Sequence, residues 1–152
     1  MNILWKIKPF EQLTAAELYR IMKARVDVFV VEQQCPYPDL DGYDGEAVHI
    51  WGELQNEVVA YCRIFDRGIK YREASVGRVL TPLKYRNLKL GKTVMAIAVS
   101  TIENRFRTGE IRISAQDYLL RFYTELGFRD TGKKYLEDDI PHTEMLKKPF
   151  GG

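Results

Sequence analysis

Residues 85–93 read YRNLKLGKT, a stretch rich in anion-binding side chains that ends in the GKT of an ATP-binding loop. Such a loop needs a glycine five positions before the GKT glycine, and Arg86 stands there instead. Only about sixty residues follow, too few for the rest of a nucleotide triphosphatase core. What survives is simpler. Pro82 stops a strand, a basic turn follows, and a helix begins whose first amides have no partners, an arrangement that binds anions through peptide N–H groups and the helix dipole. Lys84, Arg86, Lys89 and Lys92 add positive charge at the same end. A solvated helix start carries the same residues, and on this stretch alone that is the favoured reading.

A second cluster, DLDGYDG at residues 39–45, places carboxylates at short spacing and raises calcium. The EF-hand pattern fails because Gly42 comes too early and no glutamate closes the register. Cys35 and Cys62 form no CxxC and sit in unrelated contexts, so neither a disulfide nor a zinc site is expected. No metal is predicted. The charge distribution is uneven. Residues 26–62 hold no lysine or arginine but contain Asp27, Glu32, Asp39, Asp41, Asp44, Glu46, Glu53 and Glu57. Residues 63–92 hold Arg63, Arg67, Lys70, Arg72, Arg78, Lys84, Arg86, Lys89 and Lys92 against only Asp66 and Glu73. Two ligands of opposite sign, or two solvated faces, fit this pattern.

The elements that must position these groups follow from periodicity. At 152 residues the chain is expected to be one domain, with 45% hydrophobic and 29% charged residues. A formal charge of +2 gives no nucleic-acid footprint. No leader or membrane-length apolar run is visible, so a cytoplasmic protein is expected. Residues 3–8 make a first strand, and Thr14 with Glu17 forms a capping box opening a helix that ends near Phe29, where valines bring β-branched stiffness. Residues 33–45 make a long loop. Strands at 49–54 and 58–65 form a hairpin, and residues 75–81 make a further strand. A helix from about Lys89 buries Val94, Ile97, Ala98, Thr101, Ile102 and Phe106 and is ended by Gly109. A strand at 110–115, a helix capped by Asp117 and ended by Gly127, and strands at 128–135 and 142–147 complete the order. The strand, helix, strand unit over 75–115 requires a right-handed crossover with parallel strands. The fold class is mixed α/β.

Residues 86–91 resemble the acetyl-coenzyme A pyrophosphate loop of the GNAT superfamily of N-acetyltransferases, with Arg86 and Gly91 matching and Asn87 and Lys89 departing from its glycines. Two longer segments resemble the ElaA-like branch of that superfamily: RVDVFVVEQQCPYPDLDGYD at 25–44 and LEDDIPHTEM at 136–145. FYTELGF at 122–128 matches the superfamily's aromatic, Tyr, three residues, Gly, Phe motif. Together these run from about Leu18 to Met145.

The resemblance implies a GNAT-like fold, a mostly antiparallel central sheet flanked by helices, with a splayed parallel strand pair. Acetyl-coenzyme A would lie in the gap as cosubstrate, pantetheine against Val79, Leu80 and Thr81, with Gln116 beside it. Its pyrophosphate would meet Arg86 and the amides of Asn87, Leu88, Lys89, Leu90, Gly91 and Lys92. The chemistry implied is direct acetyl transfer to a primary amine of a small molecule or peptide, in a ternary complex. Tyr123 would protonate the leaving thiolate, a role that competes with plain core packing. Glu32 and His49 are the candidate bases, and Glu32, Asp39, Asp41 and Asp44 would attract a cationic acceptor. Arg25, Arg78 and His142 lie in matched segments without an assigned chemistry. Cys35, in a proline-flanked loop with no paired base, ranks low as an acyl carrier. The rival readings are a coenzyme A-binding sensor without catalysis and, more remotely, an NTPase. Homodimers are common in the superfamily, and neither nucleic acid nor membrane is expected as a partner.

Overall fold

Alternating apolar residues build a first antiparallel layer. In the computed structural model, which describes residues 2–149, β1 (Leu4–Pro9), β2 (Val48–Leu54), β3 (Glu57–Phe65) and β4 (Ser75–Leu80) pair in that order. All three ladders are antiparallel. Gln55 and Asn56 hold φ of 52° and 63°, the two-residue primed turn whose twist matches its flanking strands. A second layer contains β5 (Ile111–Gln116), β6 (Arg129–Glu137) and β7 (Ile140–Lys147), in the order β5, β7, β6.

The two layers meet at a single parallel bridge between Ala74 and Ile111, where Arg112 N–H donates to Ala74 O at 2.9 Å. The expected parallel crossover is present, through α2 (Leu90–Thr101). That helix buries Leu90, Val94, Met95 and Ala98. They join a core with Ile50, Val59, Ile64, Ile111 and Phe128. A second core cluster lies on the other side of the sheet, where α1 (Ala15–Arg25) sets Ile21 and Ala24 against Trp51, Val58 and Tyr61.

Several boundaries differ from the sequence reading. The Thr14 capping box forms as expected, with Glu17 N–H donating to Thr14 Oγ1 and Thr14 N–H to Glu17 Oε1. The helix does not stop at Phe29. It widens into π turns through Glu32, with Gln33 N–H reaching Val28 O at 3.2 Å and Cys35 N–H reaching Val30 O at 3.1 Å. Packing of Val28 and Phe29 in the core outweighs the stiffness of the valines. At the end of α2 the chain continues in π turns to Phe106 and is stopped by Arg107 at φ 60° rather than by Gly109. Gly109 serves close packing instead, since a Cβ there would meet Pro149 at 3.0 Å. Asp117 does not cap α3 (Leu120–Glu125), because its carboxylate accepts the Thr143 hydroxyl. Gly127, at φ 96°, ends that helix as expected. The last hairpin runs longer than periodicity suggested, since Asp138 and Asp139, at 52° and 63°, supply a second primed turn and bring residues 136–141 into the ladder. Among the described residues no helix is long and apolar enough to cross a membrane.

Charge holds three places in this frame. Arg25 is fully buried and ion-pairs with Asp39 at 3.0 Å and Asp44 at 2.6 Å, while Arg63 reaches Asp44 at 2.8 Å. Glu17 sits between Lys6 and Lys8, and Glu73 grips Arg112. Burial alone would raise the Glu17 carboxyl, but the Thr14 amide and the two ammonium groups hold it down to about 2. The Arg112 guanidinium holds Glu73 down to about 2. Groups with depressed folded pKa contribute stability above their unfolded pKa and lose it as pH falls through the folded value.

Urea unfolding is therefore expected to give a flat stability above about pH 5 that falls between about pH 4.5 and 2. Glu17→Gln with Glu73→Gln should flatten that fall. Arg25→Ala, which takes one partner each from the buried Asp39 and Asp44 and leaves them Arg78 and Arg63, should lower the unfolding free energy by about 3 kcal/mol. A loss below about 1 kcal/mol would show that Arg63 and Arg78 alone satisfy the two aspartates.

Candidate active site

β4 and β5 start side by side and then separate. Beyond the Ala74 bridge no ladder joins them, so the β4 edge keeps free main-chain groups facing a cleft of about 310 Å³. The joint of this opening is clamped by Arg112, whose Nε and Nη2 donate to Glu73 at 2.9 and 2.8 Å and whose Nη1 donates to Glu144 at 2.7 Å. Val76 to Thr81 form one side of the cleft, and Ile113, Ser114 and Gln116 of β5 the other. The remaining walls come from α3, from the π turns after α1 with the loop that follows, and from the β6–β7 turn.

A bulge in β4 opens the cleft further. The register against β3 shifts between Tyr61 and Arg63, and opposite that shift Arg78 adopts φ 51°. Left-handed backbone at a non-glycine residue is strained and persists only where its surroundings hold it. Here Asp39 does so, its carboxylate 2.9 Å from Arg78 Nε and its carbonyl accepting from Nη2 at 3.0 Å. This corrects the expectation for the acidic loop. Asp39 and Asp44 are buried against Arg25, Arg63 and Arg78, and Asp41 pairs with Arg63. Burial would raise the Asp41 and Asp44 carboxyls, but the neighbouring guanidinium groups hold Asp41 well below the usual range and lower Asp44 as well. The charge of all three aspartates is paired with arginines, and none of the three lines the cleft. Arg63, Arg78, Lys84 and Arg86 of the basic block pair with Asp39, Asp41, Asp44, Glu57 and Glu32 of the acidic one.

At the mouth of the cleft, residues Leu83–Leu88 form a 3-10 turn and Lys89 takes φ 56°, the N-cap of α2. No side chain caps this helix, so the first amides, at Leu90, Gly91 and Lys92, stay free for an anion. Lys89 thus adopts the backbone shape a glycine would give. Arg86 and Gly91 line the cleft, whereas Asn87, Leu88, Lys89 and Lys92 are exposed beside it. Leu90 places its side chain in the core and can offer only its amide. The glycine, lysine and threonine of GKT lie in the first turn of α2.

Tyr123 lines the cleft, is 7% exposed, and has no hydrogen-bond partner for its hydroxyl among the described residues. Burial raises its pKa, which keeps the proton on the phenol at neutral pH. Gln116 lines the cleft and donates to Gln33 at 3.4 Å. Glu32 lies outside the lining and is held by Arg86 through two contacts of 2.7 Å. His49 is fully buried, away from the cleft, with Nδ1 2.7 Å from the Tyr61 hydroxyl and Nε2 3.0 Å from Asp44 O. Burial lowers its pKa, and with both nitrogens occupied it is a packing residue rather than a base. The sequence reading left His142 and Glu137 without a role, yet both line the cleft. The strand boundaries were the missing signal, because only the extended β6–β7 hairpin brings them there. Among the described residues no group of His, Cys, Asp and Glu comes together as a cation site.

Comparison with known proteins agrees with this geometry. Residues 15–149 match the family described as acetyltransferase (GNAT) domain. The ElaA protein of Escherichia coli is 34% identical over 96% of this chain and 97% of its own. Its crystal structure superposes with a TM-score of 0.89, covering 97% of this chain and 100% of that one. The crystal structure of an acyl-CoA N-acyltransferase from Pseudomonas aeruginosa, 34% identical, gives 0.90 over 96% and 99%. A UPF0039 protein of Synechocystis is 33% identical over 96% of both chains. With the splayed strands, the uncapped helix and nearly full-length relatives in agreement, the chain belongs to the GNAT acetyltransferase family, in the branch of ElaA.

Proposed function

We propose that the chain is a cytoplasmic, single-domain N-acetyltransferase that binds acetyl-coenzyme A between β4 and β5 and passes the acetyl group directly to a primary amine. The observation that carries this reading is the opening of two parallel strands beyond one bridge, with an uncapped helix N-terminus at its mouth. The residues fit the cosubstrate. Free main-chain groups on β4 suit the amides of pantetheine, the amides of Leu90, Gly91 and Lys92 with Arg86 suit the diphosphate, and Gln116 offers a side-chain amide. Bound there, the cosubstrate supplies an acyl carbon activated as a thioester.

The chain's own part is positioning and proton transfer. Holding an amine beside the acyl carbon is worth about 7–11 kcal/mol at best. The amide of Val79 or Leu80, next to the bulge, would stabilise negative charge on the carbonyl oxygen. Tyr123, protonated and without a partner, donates to the departing sulfur. Its expected role depends on a free hydroxyl, which the packing leaves it.

Titration calorimetry with coenzyme A should give saturable heat, and thiol release from acetyl-coenzyme A should depend on added amine. Heat without amine-dependent release would favour a coenzyme A sensor, and heat from ATP alone an NTPase. Tyr123→Phe should lower kcat about 100-fold and leave acetyl-coenzyme A affinity unchanged. Unchanged turnover would remove Tyr123 from the reaction. Gly91→Ala separates packing from binding, since an added Cβ meets nothing closer than Phe122 at 3.4 Å. Its thermal midpoint should stay at the wild-type value while coenzyme A affinity weakens about tenfold.

A further inference from the structure

We propose that His142, paired with Glu137, takes the proton from the attacking amine. The inference rests on the acetyltransferase reading above and deepens it by naming the base.

The hairpin register carries the argument. On β7, His142 stands opposite Gln116 of β5 on one side and Tyr135 of β6 on the other. Gln116 ends β5 where that strand has left β4, so the same row of the sheet delivers His142 into the cleft that Tyr123 also lines. Three contacts fix the ring. Nδ1 lies 2.7 Å from Ile140 O, the Tyr135 ring stacks on it with an interplanar angle of 16°, and Nε2 lies 3.3 Å from Glu137 Oε2.

Those contacts determine which nitrogen can act. A carbonyl oxygen only accepts, so Nδ1 carries a hydrogen, and in the neutral ring the lone pair sits on Nε2. That lone pair faces a carboxylate, which also only accepts. A proton delivered to Nε2 from the amine would lie between the ring and the carboxylate, where both accept it as a hydrogen bond. The His142 side chain is 7% exposed while that of Glu137 is 52% exposed, so the carboxylate also links the ring to solvent.

Three other candidate groups near the cleft are occupied. Arg86 holds both oxygens of Glu32, the Cys35 thiol donates to Asp138 O, and the Tyr37 hydroxyl donates to Asp39. In the step assigned to His142, the amine nitrogen forms a bond to the acyl carbon and its N–H proton passes to Nε2. The carbon–sulfur bond breaks, and Tyr123 gives its proton to sulfur. Solvent then carries one proton from the imidazolium to the phenolate. The sum is amine plus thioester giving amide plus thiol.

The test measures thiol release from acetyl-coenzyme A with spermidine, glucosamine and a glycyl dipeptide, alongside calorimetry with coenzyme A. His142→Ala should lower kcat about 100-fold with coenzyme A affinity unchanged, and added imidazole should recover at least about tenfold of that loss. Glu137→Gln should lower kcat about tenfold. His142→Asn keeps an N–H for Ile140 O but has no Nε2, so it should fold even where the alanine variant does not, and be equally slow. Turnover within about threefold of wild type in either His142 variant overturns the proposal. So does a folded alanine variant whose lost turnover imidazole fails to recover. Wild-type protein that binds no coenzyme A, or binds it and acetylates none of the three amines, instead overturns the acetyltransferase reading, and this inference falls with it.

Discussion

The structure depends on the parting of two parallel strands. β4 and β5 share one bridge at Ala74 and Ile111, and everything of functional interest lies beyond it. Separating neighbouring strands exposes main-chain donors and acceptors that a sheet normally satisfies. Such an opening needs support from both ends. At the joint, Arg112 binds Glu73 and Glu144 and fixes where pairing stops. Farther out, Arg78 bends β4 through a left-handed bulge that Asp39 secures.

The buried charges gain their meaning from that support. Removing an ion pair from water is costly, and a hydrophobic replacement is often as stable. Here the network of Arg25, Arg63, Arg78, Asp39, Asp41 and Asp44 connects the end of α1, the loop after it, β3 and the bulge of β4. An apolar cluster would fill the space without fixing the bulge, because it has no directed contact for a guanidinium. The acidic loop therefore shapes the cleft from behind.

Two ends of the cleft then carry different chemistry. The α2 end offers peptide N–H groups and Arg86, which suits a diphosphate. The wall from the π turns and the β6–β7 hairpin brings Val28, Phe29, His142 and Glu137. Tyr123 stands on α3, held between Phe122 and Phe128 in edge-on contacts that fix its ring. Its hydroxyl is left without a partner among the described residues, whereas a buried tyrosine usually finds one.

Much of this was legible in the residues. The period-two and period-3.6 patterns set the order of the strands and helices, the Thr14 box set the start of α1, and glycine with proline marked the loops. The motif FYTELGF singled out Tyr123, and the stretch around Arg86 and Gly91 singled out the uncapped start of α2, both of which line the cleft and both of which are local in sequence. What local sequence could not give was pairing. The acidic residues of 39–44 looked like a surface for a cation until tertiary contacts set arginines from α1, β3 and β4 against them. His49 looked available until the fold enclosed both of its nitrogens. His142 and Glu137 meet only because Asp138 and Asp139 accept left-handed backbone and extend the hairpin. The sequence by itself determined which elements form and which end of α2 attracts anions, since propensity and unpaired amides act within a few residues. Tertiary structure alone decided which charges are spent and which remain free, since a charge's partner is chosen by distance across the fold.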